Sequence, residues 1–87
     1  MNTELLRNAI LLQLHAASRE RGLPLATIHQ GCALAGHALG LDELRTELAY
    51  LTDKGLARVS TAELSAGSQR WHLSAAGTDY LERNALV

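Results

Sequence analysis

The feature that most constrains this chain is a change of hydrophobic period between residues 41 and 73. Leu41, Leu44, Leu48 and Leu51 recur at intervals of 3, 4 and 3, which sets them on one face of a helix. Past Lys54 and Gly55 the period falls to two. Ala57 and Val59 alternate with Arg58 and Ser60, and Trp71 and Leu73 alternate with Arg70 and His72. A period of two belongs to half-buried strands, and the polar stretch "AELSAGSQ" between them is longer than a tight two-residue turn. A helix therefore gives way directly to a two-stranded flap. Gly55 is its stop signal, and Lys54 supplies a cation for the negative end of its dipole.

The remaining elements follow from similar signals. From Thr3 to about Arg19, Leu5, Leu6, Ala9, Ile10, Leu12, Leu14, Ala16 and Ala17 cover a broad side of a first helix, with Glu4, Arg7, Asn8 and His15 opposite. Two residues break that pattern: Leu11 falls among the polar residues and Gln13 among the apolar ones. Leu11 is then either an ordinary exposed leucine or part of a self-association face. Gly22 and Pro24 end the helix, and Leu23 to Leu25 form a very short extended piece. Thr27 and Gln30 have the spacing of a capping box, which predicts a second helix running to about His37. Gly40 stands at the start of the third helix. Ser74 is the expected cap of a last helix, from Ala75 to Ala85, that carries Tyr80 and Leu81 inward.

With 87 residues and no linker, repeat or low-complexity tract, residues 1–87 are expected to form a single domain. The composition is 47% hydrophobic, yet it holds no Phe, one Trp and two Tyr, so the core must be built from leucine and alanine. A net charge of −1 provides no global field to draw the chain onto nucleic acid or an anionic membrane. The run "AILLQL" is too short to cross a bilayer and no small-residue cleavage site follows it. A lone cysteine, Cys32, cannot form an internal disulfide. A cytoplasmic protein that does not engage membranes is the expectation.

Helix, short strand, helix, helix, strand, flap, strand, helix is the winged helix-turn-helix order: an α+β, mainly helical fold with a three-helix core, a two-stranded wing and a C-terminal helix. The segments "LRTELAYLTDKGLARV" and "RWHLSAAGTDYLE" resemble the pattern of MarR-like and related winged-helix regulators. The shared elements are a leucine-rich third helix, Lys-Gly-Leu, a strand, a wing containing glycine, and a strand ending in Leu-Ser-x-x-Gly. More narrowly, "GHALGLDELRTELAYLTDKGLARV" is similar to small winged-helix proteins of Mu-like phages and prophages. The resemblance implies binding to double-stranded DNA and transcriptional regulation. The third helix would enter the major groove, and the wing would meet the flanking backbone.

Carried over by position, the reading face of the third helix holds Asp42, Glu43, Thr46, Ala49, Tyr50 and Asp53, with Arg45 and Glu47 on its edges. Arg45, Thr46, Tyr50 and Lys54 are the contact candidates on the helix, and Arg58, Ser68, Gln69 and Arg70 those on the wing. The acidity departs from what phosphate demands. Asp42 and Glu43 suit a first turn through the helix dipole, but that argument leaves Glu47 and Asp53 unexplained. Arg58 and Arg70 form either a solvated strand face or a phosphate clamp, and His72, on the same face, would add charge only when protonated.

His29, Cys32 and His37 lie close in sequence, but with one thiol and no fourth ligand no metal or other cofactor is expected. No oxyanion site or orienting acid accompanies them, so the chain is not expected to be an enzyme. The alternative to DNA binding is a winged-helix protein-interaction module, with Leu11, Asp42, Tyr50 and Asp53 as candidate partner-facing residues. A homodimer through the first helix is a further expectation.

Overall fold

The computed structural model describes residues 3–17, 20–61 and 69–87. Among these residues the chain forms α1 (Thr3–Ala16), β1 (Leu23–Pro24), α2 (Leu25–Leu34), α3 (Leu41–Asp53), β2 (Ala57–Thr61), β3 (Gln69–Leu73) and α4 (Ala75–Arg83). The architecture is α+β and mainly helical. The three strands make one antiparallel sheet in the order β1-β3-β2. Leu23 pairs with Trp71, and Val59 pairs with Trp71 from the other side. The leucines and isoleucines of α1, α2 and α3 meet Trp71, Leu73 and Leu81 in one core.

The turn from α3 into β2 is fixed by two backbone hydrogen bonds, Gly55 N–H to Thr52 and Leu56 N–H to Leu51, with Gly55 at φ +77°. This is a Schellman closure, in which glycine takes the left-handed conformation at no steric cost. The Leu-Ser-x-x-Gly pattern also has a local cause. Ser74 accepts the Gly77 N–H at 3.0 Å as the N-cap of α4, and its own hydroxyl donates to the Gly55 carbonyl. A Cβ at Gly77 would strike the Leu56 carbonyl oxygen, so only glycine lets α4 lie this close to the turn before β2.

Several expectations are corrected. Leu11 is 1% exposed and belongs to the core, so it is neither a surface leucine nor a self-association contact. Leu5, expected inward, is 57% exposed. The polar Gln13 sits on the apolar side because its amide packs on Gly31, where a Cβ would collide with it, and donates to the Cys32 sulfur at 3.5 Å. α2 begins at Leu25 with Pro24 as its N-cap, so Thr27 and Gln30 lie inside the helix and form no capping box; it ends at Leu34 rather than near His37. Proline already holds the φ that a helix entrance needs. Leu41 opens α3 at its exposed end rather than on its buried face.

Candidate nucleic-acid interface

α3 is held by Leu44, Leu48 and Leu51, all buried, which turn the opposite side of the helix outward. Its two flanks differ. On the flank toward α1, beside a depression of about 550 Å³ lined by Arg7, Leu11, Tyr50, Lys54 and Tyr80, the charged side chains are paired: Arg7 Nε donates to Glu47 Oε2 at 2.6 Å, and the Arg7 guanidinium lies 3.7 Å from the centroid of the Tyr50 ring. Lys54 approaches the same ring at 5.6 Å, so Tyr50 carries two cations. The hydrogen bond to Glu47 raises the pKa of Arg7, with burial opposing it and the charges of Glu47 and Tyr50 adding to it. Glu47 thereby has a structural explanation, since its charge is matched by a residue 40 positions away.

The flank toward the sheet is open. Arg45, Ala49, Thr52 and Asp53 line a depression of about 310 Å³ with Val59, Gln69 and Trp71. It shares Arg45, Gln69 and Trp71 with a second depression of about 370 Å³, bounded by Pro24, Leu25, Ala26, Leu41 and Arg70. The two form a continuous trough between α3, the start of α2 and the strands β2 and β3. Trp71, largely buried, lines both depressions. Val59, expected on the buried face, is 44% exposed at the rim of the trough, on the edge strand β2.

The candidate contacts are therefore divided. Arg45 and Gln69 both line the trough, while Tyr50 and Lys54 sit on the flank toward α1 and Thr46 spends its hydroxyl on the Asp42 carbonyl at 3.0 Å. Asp42 and Glu43 occupy the first turn of α3 as expected, and Glu43 reaches back toward the Gly40 N–H at 3.5 Å. Asp53 shares the trough with Arg45.

Arg58 and Arg70 lie diagonally rather than directly opposite, since Arg58 pairs with His72 and Ser60 with Arg70. Arg70 is exposed but directs its guanidinium to the carbonyls of Arg21 at 3.2 Å and Gly22 at 3.4 Å. It thereby ties the turn before β1 to the sheet. His72 is corrected: it is 7% exposed, its Nε2 bonded to the Ser60 hydroxyl at 2.8 Å and its ring packed against the Gly22 backbone. A buried imidazole cannot touch a phosphate. Ser68 lies outside the described residues.

Elsewhere, His29 Nε2 is bonded to the Leu39 carbonyl at 2.8 Å, and Cys32 is buried. Among the described residues no group of three His, Cys, Asp or Glu side chains is placed to hold a metal ion, and no helix is long and apolar enough to cross a membrane. Arg7 was missed as a site residue by sequence reasoning. Its partner is remote in sequence, and only the isolated cation on the first helix hinted at a role. No family model matches the chain, and no curated protein or solved structure matches it either.

Proposed function

We propose that the chain is a winged-helix protein that binds double-stranded DNA and acts as a regulator of transcription, with the open flank of α3 and the strands β2 and β3 as its DNA-facing surface. The observation that carries this reading is the trough lined by both Arg45 of α3 and Gln69 of β3, with Arg70 on its second depression. Charge arithmetic also supports it: Glu47, the acid hardest to reconcile with a phosphate-facing helix, is already matched by Arg7. Arg45 supplies the first contact to a duplex, and Gln69 a side-chain amide suited to base or phosphate. Arg58, exposed on the outer side of β2, meets flanking phosphates.

The test is fluorescence anisotropy of a labelled generic duplex across a salt series. The expected result is binding that weakens steeply with added salt. Replacing Arg45 and Arg58 together by alanine lowers affinity at every sequence and reduces the salt slope by about 0.9 for each phosphate contact removed. Absence of binding at low salt overturns the reading. The function then passes to protein recognition, which the exposed Leu41 and Val59 beside the same trough favour.

A further inference from the structure

The depression on the α1 side of α3 has a divided lining. It lies between α1, the last turn of α3, Leu56 just beyond that turn, and α4. Leu11 and Leu51 back it from the core, and the half-buried Leu56 and Tyr80 and the exposed Tyr50 offer apolar surface within it. Tyr80 donates its hydroxyl to Asn8 Oδ1 at 2.8 Å, so its polar tip is already held and its ring is what it brings to the lining. At about 550 Å³ the depression has the size of a small-molecule site.

The polar part of the lining is Arg7 and Lys54 with Glu4. Both cations are drawn to the Tyr50 ring, at 3.7 Å and 5.6 Å from its centroid, which gathers them on one side of the depression. The bond to Glu47 takes the Nε–H of Arg7 and leaves the terminal amino groups of the guanidinium out of that contact. Lys54 is exposed and forms no ion pair among the described residues. A ring face attracts its charge but offers no oxygen to its N–H donors.

This lining selects a ligand by its chemistry. Leucine surface suits an aliphatic body, a carboxylate accepts charge-assisted hydrogen bonds from ammonium and guanidinium alike, and Glu4 on the same rim opposes a second negative charge. We infer that this depression binds a small aliphatic carboxylic acid as its monoanion, with the carboxylate at Lys54 and the terminal amino groups of Arg7 and the hydrocarbon against Leu56, Tyr50 and Tyr80. The site is separate from the trough on the sheet side and does not rest on DNA binding.

Hexanoate, hexanol and acetate are the probes, titrated at constant pH and ionic strength into the ¹⁵N-labelled chain and followed by heteronuclear NMR. Hexanoate should shift the amide signals of Leu51, Lys54 and Leu56 saturably, with a dissociation constant on the order of 5 mM for a ligand of so few atoms. Hexanol keeps the chain and loses the charge, and acetate keeps the charge and loses the chain. Each should bind about tenfold more weakly. Lys54→Gln should weaken hexanoate several-fold and leave the response to hexanol as it was; Lys54 lies outside the core, so the variant folds. Hexanoate that fails to saturate or shifts signals elsewhere, hexanol or acetate binding as tightly as hexanoate, or an affinity indifferent to Lys54→Gln would each overturn the inference.

Discussion

The two flanks of α3 are built from the same helix and carry similar residue types, yet they do different work. Toward α1, Arg7, Glu47, Tyr50 and Lys54 satisfy one another across two helices. Toward the sheet, Arg45 and Gln69 border an open trough that Trp71 also lines. Charged residues on an exposed helix thus do not by themselves define a binding face. Both flanks border a depression, and what distinguishes them is whether another element of the chain has already supplied the partner of the charged group: Arg7 is paired with Glu47, whereas Arg45 opens onto the trough.

The strongest test of this contrast removes a side chain that lines the open flank. Trp71 is both a lining residue of the trough and a core residue, pairing with Leu23 and Val59 across its two neighbouring strands. Trp71→Ala should cost about 3–5 kcal/mol in denaturant unfolding, as buried aromatic truncations do. That is a large share of the roughly 5–15 kcal/mol available to a small domain. A loss below about 1 kcal/mol would mean that Trp71 only borders the trough and the sheet is held elsewhere.

The flank toward α1 predicts a smaller effect of the opposite kind. Glu47→Ala breaks the ion pair with Arg7 but removes nothing from the trough. The melting temperature should fall modestly at low salt, and the difference from the parent chain should shrink as salt screens the pair. Duplex affinity should not decrease, because an acidic group is lost and Arg7 is released. A variant that melts normally but loses duplex binding would reverse the assignment of the two flanks.

Much of the fold was legible because its signals are local. The period change at Gly55 and the cap at Ser74 each depend on residues within a few positions of one another. The errors arose where distant elements decide. Periodicity alone set the buried arc of α1 too far toward Leu5 and Ala16, because it could not know that α3 and α4 press on the side carrying Leu11. Alternation sent His72 outward, although the backbone at Gly22 returns to cover it. Thr27 and Gln30 matched a capping pattern that Pro24 pre-empted. For the candidate site, Arg45 and Gln69 were identifiable one by one. Their sharing of one trough, and the withdrawal of Glu47 into a pair with Arg7, depend on packing between elements 24 and 40 positions apart that no local pattern encodes.

The smallest expected effect concerns another closed contact of α1, where Gln13 meets Cys32. Burial pushes the Cys32 thiol above its ordinary pKa, and the hydrogen bond from Gln13 opposes this only in part. The folded state therefore holds the thiol proton more tightly than the unfolded chain does. Its contribution to stability is complete below the unfolded value of about 8.5 and is lost as pH rises from there through the folded value. Unfolding free energies measured between pH 7 and pH 10 should decline for the parent chain and decline less for Cys32→Ala, once the constant cost of the smaller side chain is subtracted. Parallel slopes would show that the thiol ionises as readily in the fold as outside it, and that the α1–α2 contact is as open to water as the trough beside Arg45.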